Sequence, residues 1–289
     1  PAVSEPELPT LDNGAYAVLV NGIGGTGVVT IGAIIGMAAH LEGKAFNALD
    51  MAGLAQKGGS VWSHLQFANE QSDIGSARIG LGGASAMIGC DFVTSASETS
   101  MDMLKHGKTR ALVNLHQQMT GDFTRNLDAQ FPAESLQQTI ANGVGKENAQ
   151  FVEGTRIATA LMGNSIATNM FMLGMAYQKG LIPIGKEAIS KAIELNGVAV
   201  KMNQTAFLWG RRAAVDLVAV ERLITPKAQG ASGSMRLSQS LDEIIERRET
   251  FLTGYQDAAY ARRYRTLVDK VRDAEAKIKV LKEQLAGLS

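Results

Sequence analysis

Short apolar runs alternate with segments of helical periodicity in the first part of the chain, from Ala15 to about Asn114. Gly27–Leu41 carries apolar side chains at helical spacing and predicts a helix. Five runs have the length and composition of buried strands: Ala15–Asn21, Phe46–Asp50, Val61–Phe67, Cys90–Ala96 and Arg110–Leu115. This alternation predicts an α/β fold with a doubly wound, mostly parallel sheet, helices on both faces and right-handed crossovers.

The pattern changes beyond Gly154. Residues Ile157–Gln178 carry no charge over a length that could span a membrane. Asn164, Ser165 and Asn169 would lack hydrogen-bond partners in lipid, so the segment instead predicts a helix buried in the core or against another subunit. Two further helices are expected, one associated with the segment 181–197 and one through 199–220.

The last part of the chain is polar. Residues 225–240 have the composition of a linker, and 241–289 combine mixed charges with apolar positions at helical spacing. Positions 268–285 resemble a solvated amphipathic helix. We therefore predict a tether at 1–14, an α/β domain at 15–224, a linker at 225–240 and a helical extension at 241–289.

Charge and cysteine content restrict the function classes. The 28 basic and 28 acidic side chains give a net charge of zero, which offers no electrostatic footprint for nucleic acid or an anionic membrane. The single cysteine, Cys90, excludes an internal disulfide framework and cannot by itself hold an iron–sulfur cluster. A reducing, cytoplasmic location is expected. The start of the chain has no initiator Met and no apolar signal core, which suggests a tether or part of a longer polypeptide.

The turn between the first strand and the first helix contains Gly22, Gly24 and Gly27. Such spacing permits a tight turn and close approach of backbone N–H groups to a phosphate. Asp50 follows Gly27 by 23 positions, near the separation expected for a ribose-binding acid in a dinucleotide site. Alternatively, the glycines serve only to pack the helix on its strand.

A second glycine pair, Gly58-Gly59, follows Lys57 and precedes a predicted strand. The two glycine loops could lie together at one edge of the sheet, with Lys57 as the cation for a pyrophosphate or another anionic group. Equally, the second loop could pack against a partner protein while Lys57 remains solvated.

The motifs together resemble a known family. The G-x-G-G-x-G turn at Gly22–Gly27, the run "DMAGLAQKGG" at Asp50–Gly59 and "NSIATNMFMLGMAYQKGLIP" resemble the gamma module of 2-oxoacid:ferredoxin oxidoreductases. The similarity is greatest to the fused bacterial enzymes of the indolepyruvate ferredoxin oxidoreductase type. The charged tail resembles the segment that follows the gamma module in those chains.

The resemblance implies a Rossmann-like module that supports oxidative decarboxylation of a 2-oxoacid to an acyl-CoA. Thiamine diphosphate, Mg and the iron–sulfur clusters would lie in partner modules, and electrons would reach ferredoxin through the complex. This chain would bind no cofactor firmly, dock to those modules in an oligomeric assembly and help to admit CoA. By analogy, the residues expected at the CoA-facing edge are Gly24, Gly25, Thr26, Gly27, Lys57 and Gly58.

The sequence shows no catalytic constellation and no metal-ligand spacing. The four histidines are not arranged as ligands, and Cys90 opens an apolar run, which is typical of a buried, unreactive thiol. The alternatives to the gamma-module interpretation are a self-contained NAD(P)-dependent dehydrogenase with Asp50 on the ribose, and a structural adaptor whose glycine turn binds nothing.

Overall fold

The computed structural model describes residues 3–12, 14–53, 59–119, 130–225 and 238–286. The chain divides into two compact units, residues 1–225 and residues 226–289. The first unit contains the sheet, and the described part of the second is formed mainly by two helices.

The sheet of the first unit has six strands in the order β2-β3-β1-β4-β5-β6. Its strands are β1 (Tyr16–Ile23), β2 (Ala45–Ala52), β3 (Ser60–Ala68), β4 (Ala86–Gly89), β5 (Arg110–Asn114) and β6 (Ala149–Val152). Neighbours in the series β1, β4, β5 and β6 are parallel, whereas β3 runs antiparallel to both β1 and β2. Five of the six strands therefore point the same way, which confirms the mostly parallel sheet.

Nine helices of the first unit are described. They are α1 (Val28–Leu41), α2 (Phe92–Ser95), α3 (Glu98–Asp102), α4 (Ala133–Val144), α5 (Gly154–Met162), α6 (Thr168–Gln178), α7 (Lys186–Asn196), α8 (Val200–Val215) and α9 (Leu217–Ile224). None of the described helices combines the length and the apolar character that a membrane span requires.

The first strand shows why helices occupy both faces of the sheet. Successive side chains of a strand point to opposite faces. Val18 and Val20 of β1 join the core formed with α1 and α6, whereas Ala17 and Leu19 join a separate core on the other face with α2 and α4. The doubly wound fold is therefore confirmed, with one apolar core on each face.

Two sequence predictions of strands need correction. Residues Cys90–Ala96 do not form a strand: β4 lies just before them, and the segment turns into α2, where the Asp91 side chain accepts a hydrogen bond from the Thr94 N–H (2.7 Å) and caps the helix. The strands β4 and β6 were not predicted, because four residues provide too short a run for periodicity to detect.

The connection between β2 and β3 is also not the expected crossover. Gly53 and Ser60 are joined by a hydrogen bond (2.8 Å), and β3 returns antiparallel beside β2. This hairpin inserts β3 between β2 and β1, so β2 becomes the edge of the sheet.

The uncharged segment Ile157–Gln178 is two helices rather than one. Gly163 adopts a left-handed conformation (φ 74°) and ends α5, and a short 3-10 turn at Ser165–Ala167 leads into α6. As expected from its composition, α6 is buried on all sides from Thr168 to Tyr177. The third helix expected in this region is likewise divided, into α8 and α9, at Asp216.

The N-terminal segment is held against α6 and α8 by a buried cation. Arg211 is almost fully buried, stacks over the ring of Tyr177 and donates to Gln178 Oε1 (2.8 Å) and Glu5 Oε1 (3.1 Å). Lys186 and Tyr177 also donate to the Glu5 carboxylate, and these bonds lower the pKa of Glu5 to about 2.

The second unit is a helical hairpin of α10 (Leu241–Tyr255) and α11 (Ala258–Ala286). Ser240 caps α10 by accepting from the Glu243 N–H, and Ile245 and Ala261 are buried between the helices. Ion pairs join Asp242 to Arg272 and Glu249 to Arg265, as expected for antiparallel helices.

Candidate functional site at the carboxyl edge of the sheet

The strand order reverses between β1 and β4. After β1 the chain passes through α1 to β2 and β3 on one side of the sheet, and it then returns to place β4, β5 and β6 on the other. In open α/β sheets such a reversal opens a crevice at the carboxyl ends of the strands, which is the usual place for a ligand. A cavity of about 400 Å³ lies at this point, and we call it the switch-point cavity.

Most of the residues that line the switch-point cavity are of polar type, and they come from the ends of three strands, the start of α5 and the segment 164–169. Its lining residues are Ile23, Gly25, Thr26, Cys90, Asp91, Asn114, His116, Gln118, Thr155, Asn164, Ser165, Ile166, Thr168 and Asn169.

The glycine turn on one side of the cavity has a conformation that requires glycine at two positions. The Thr26 N–H donates to the Ile23 carbonyl (3.2 Å), and Gly25 between them has a φ of 87°. A positive φ at the third position of such a turn is typical of glycine. Gly27 has a φ of 96° and precedes the first turn of α1. A side chain at either position would strain the backbone.

The turn also leaves backbone donors available. Within the described ranges, the N–H groups of Gly25 and Gly27 make no hydrogen bond. The first N–H groups of α1 have no intrahelical acceptor, and its first turn contains no acidic side chain. A helix start with these properties attracts an anion through its N–H groups and its dipole.

The segment 164–169, which leads into the first turn of α6, closes the glycine turn from the other side. Asn169 Nδ2 donates to the Thr26 carbonyl (2.7 Å), and a Cβ at Gly27 would lie 3.3 Å from the same nitrogen. Asn164 caps the short 3-10 turn by accepting from the Ile166 N–H (3.0 Å). These contacts fix the distance between the two walls of the cavity.

Asn114 holds the floor of the cavity together. It is buried at the end of β5 and donates to the Cys90 carbonyl (3.1 Å) and to Thr155 Oγ1 (2.8 Å). Its Oδ1 accepts from the Thr155 N–H (3.2 Å). One side chain therefore connects the ends of β4 and β5 to the start of α5.

The cavity contains one thiol and one carboxylate, neither of which is arranged for catalysis. Burial and the neighbouring Asp91 carboxylate raise the pKa of Cys90 to about 12, so the thiol remains protonated and unreactive. Asp91 is engaged in capping α2. Among the described residues no group of three or more His, Cys, Asp or Glu side chains could hold a metal ion.

The predicted site residues fall into two groups. Gly25 and Thr26 line the switch-point cavity, while Gly24 and Gly27 flank them in the same turn. Lys57 and Gly58 lie outside the described residues. The neighbouring Gly59 contacts the first glycine loop, because its carbonyl accepts from the Gly24 N–H (2.7 Å).

Asp50 does not reach the glycine turn along the sheet. It lies on the edge strand β2, with β3 between it and β1, and its carboxylate accepts a hydrogen bond from Ser63 Oγ. In a dinucleotide site the acidic strand is the direct neighbour of the glycine strand. The geometry therefore gives no support to the dehydrogenase interpretation.

Sequence reasoning missed the polar wall formed by Asn164, Ser165 and Asn169. These residues were noted as obstacles to a membrane span and as part of a shared motif, but not as neighbours of the glycine turn. Their unexpected polarity in an apolar segment was the signal that could have assigned them to a site.

Comparison with known protein families gives two matches. Residues 17–213 match the family described as pyruvate ferredoxin/flavodoxin oxidoreductase, and residues 241–287 match a family of unknown function, DUF6537.

Curated relatives include the IorB subunit of indolepyruvate oxidoreductase from several organisms. The chain is 29% identical over 209 residues to indolepyruvate oxidoreductase subunit IorB of Archaeoglobus fulgidus, with 68% of this chain and 98% of that protein covered. The IorB subunit of Pyrococcus horikoshii is 24% identical over 206 residues, covering 70% of this chain and 98% of that protein.

Solved structures show the same fold. Pyruvate oxidoreductase subunit PORC of Thermotoga maritima matches with a TM-score of 0.50 and 20% identity, covering 69% of this chain and 97% of that one. The 2-oxoglutarate:ferredoxin oxidoreductase of Magnetococcus marinus, solved with 2-oxoglutarate, coenzyme A and succinyl-CoA bound, matches with a TM-score of 0.52 and 16% identity. That match covers 71% of this chain and 32% of the other.

The family match extends over more than half of the chain and includes the glycine turn, the sheet from the second residue of β1 onward and the polar wall at the start of α6. The chain therefore belongs to the pyruvate ferredoxin/flavodoxin oxidoreductase family.

Proposed function

We propose that this chain is the gamma module of a 2-oxoacid:ferredoxin oxidoreductase of the indolepyruvate type, and that its switch-point cavity holds the phosphate-bearing part of CoA. Family membership supports the reaction class, and the names of the curated relatives support the substrate type. The observation that carries the CoA assignment is the glycine turn beside the cavity, in which the N–H groups of Gly25 and Gly27 bond to no described residue.

The chemistry of the cavity suits a pyrophosphate more than a reacting carbonyl. The N–H groups at the start of α1 would receive phosphate oxygens, and hydroxyl and amide groups of the polar wall would hydrogen-bond to the remainder of the ligand. Lys57, which the sequence predicts as a cation near this loop, would neutralise part of the charge.

The chemical step would take place in partner modules. In the proposed assembly those modules carry thiamine diphosphate, Mg and the iron–sulfur clusters, and electrons pass from them to ferredoxin. This chain would dock to the modules and present CoA to the acyl group. The cytoplasm is the expected site of such an enzyme.

A charge placed in the polar wall tests the CoA assignment. Ser165 lines the cavity, so Ser165→Asp would put a carboxylate beside the bound phosphates. In the assembled oxidoreductase we expect the KM for CoA to rise about tenfold or more through like-charge repulsion, with kcat and the KM for the 2-oxoacid nearly unchanged.

Ser135→Asp is the matched control, because Ser135 is exposed on α4 and is not part of the cavity lining. An unchanged KM for CoA in Ser165→Asp, or an equal rise in both variants, would contradict the assignment. Tight binding of NADH by the unmodified chain would instead revive the dehydrogenase interpretation.

A further inference from the structure

The last helix of the chain extends well beyond its partner. Asp242, at the start of α10, pairs with Arg272 of α11. Because α10 begins at this point, the part of α11 after Arg272 has no α10 residue beside it. The part of α11 after Arg272 continues for roughly 20 Å at 1.5 Å per residue. Its described side chains, from Asp273 to Lys282, are all exposed.

This exposed helix carries an apolar stripe. Leu267, Val271, Ile278 and Leu281 are each more than half exposed, and Ala274 lies between them on the same face. The face that packs on α10 is a different one, which includes Ala261, Val268 and Arg272. A single helix with such a stripe gains little stability in water unless the stripe is covered.

The stripe follows a heptad repeat. Val271 and Ile278 occupy position a, while Leu267, Ala274 and Leu281 occupy position d. β-Branched residues at a combined with leucine at d favour parallel, two-stranded coiled coils. The pattern thus indicates an identical helix as the occupant.

Of the two charge pairs that would flank the stripe, one favours the same occupant, and the other, Lys277 with Lys282, opposes it. In a parallel pair, position g of one helix lies beside position e of the following heptad in the other. Lys270 at g would therefore meet Glu275 at e twice in a symmetric dimer. Both side chains are exposed, and neither forms an ion pair with another described residue.

We propose that α11 is a dimerisation helix, which pairs in parallel with α11 of a second copy of this chain through Leu267, Val271, Ala274, Ile278 and Leu281. This pairing is independent of the proposed CoA site, which lies in the other unit.

Two substitutions of equally exposed residues test whether the apolar stripe forms the dimer contact. Ile278 is 52% exposed at position a, and Val280 is 51% exposed on a different face of the same helix. Sedimentation equilibrium of the full chain should show a reversible dimer. Ile278→Asp should weaken this dimer about tenfold or more, whereas Val280→Asp should leave it unchanged.

A second pair of variants tests the parallel orientation by gain of affinity. Lys277 at g and Lys282 at e would repel each other in the parallel dimer, so Lys282→Glu should tighten it several-fold. Lys279→Glu is the control: it makes the same change of charge at the outer position b and should leave the affinity of the dimer unchanged. Circular dichroism establishes that each variant keeps its helices.

A chain that remains monomeric at every accessible concentration would overturn the proposal. A dimer weakened equally by Ile278→Asp and Val280→Asp, or not weakened by either, would also overturn it. A dimer that loses affinity with Ile278→Asp but does not tighten with Lys282→Glu would refute the parallel arrangement.

Discussion

At the scale of single residues, His64 is the titratable group whose protonation the fold opposes most clearly. Its side chain is fully buried on β3, Nδ1 accepts from the Ile79 N–H (3.2 Å), and Nε2 has no partner among the described residues. Burial lowers the pKa of His64 below its usual value of 6.5; the Arg78 cation lowers it further, and the Asp50 carboxylate opposes the shift. The folded chain therefore holds this imidazole neutral.

This arrangement predicts a loss of stability in mild acid. Between pH 6.5 and the lower pKa of the folded state, the unfolded chain binds more protons at His64 than the folded chain does, so the free energy of unfolding falls with decreasing pH by up to about 1.4 kcal/mol per pH unit. Urea unfolding at about pH 7.5 and about pH 5.5 measures the change.

His64→Asn keeps an acceptor for the Ile79 N–H but does not titrate, and it should reduce the difference between the two pH values. His106→Asn, at an exposed position, should leave the difference in stability between the two pH values unchanged. An equal pH dependence in the chain and in His64→Asn would show that other groups cause it.

The residues that sequence alone could identify are those whose requirement is local. Gly25 and Gly27 adopt positive φ within one turn, and the close spacing of glycines in the sequence indicates such a tight turn. Asn169 could not be assigned in the same way, because it reaches Thr26 from a position 143 residues later in the chain. Long-range contacts of this kind leave no periodic signal.

At the scale of elements, the crossing of α6 and α8 depends on two glycines. A Cβ at Gly210 would lie 1.9 Å from the Phe171 carbonyl oxygen, and a Cβ at Gly174 would lie 2.0 Å from the Phe207 carbonyl oxygen. The backbones of the two helices thus meet directly. Since α6 also carries the polar wall at its start, this crossing positions the switch-point cavity.

Gly210→Ala should therefore destabilise the first unit by about 3 kcal/mol or more, because backbone atoms cannot move aside. Gly143→Ala on α4 is the matched control. There the new Cβ meets only the methyl end of Met101, which can rotate away, and the change should stay below about 1 kcal/mol. Thermal unfolding of both variants checks this, and equal losses would contradict the close helix crossing.

Elements were predictable where periodicity extends over several residues. The helix α1 and the strands β1, β2, β3 and β5 agree with their sequence predictions. The strand predicted at Cys90–Ala96 was wrong, because an apolar composition does not distinguish a short buried helix from a strand. Here the Asp91 cap favours the helix. The insertion of β3 between β1 and β2 was also beyond sequence reasoning, because strand order is a tertiary property.

At the scale of the whole molecule, we assign a separate role to each of the two units. The α/β unit has the fold and the family membership of an oxidoreductase module, and the proposed CoA site lies at its carboxyl edge. The helical unit matches a family of unknown function and is proposed to pair two copies of the chain. The domain boundaries at 14/15, 224/225 and 240/241 remain predictions.

The most direct test of the CoA site is hydrogen exchange of the assembled oxidoreductase with and without CoA. We expect slower exchange at the backbone amides of residues 24–29 and 164–170, because the ligand would bind N–H groups of the glycine turn and cover the polar wall. Unchanged exchange in both segments at saturating CoA would contradict it.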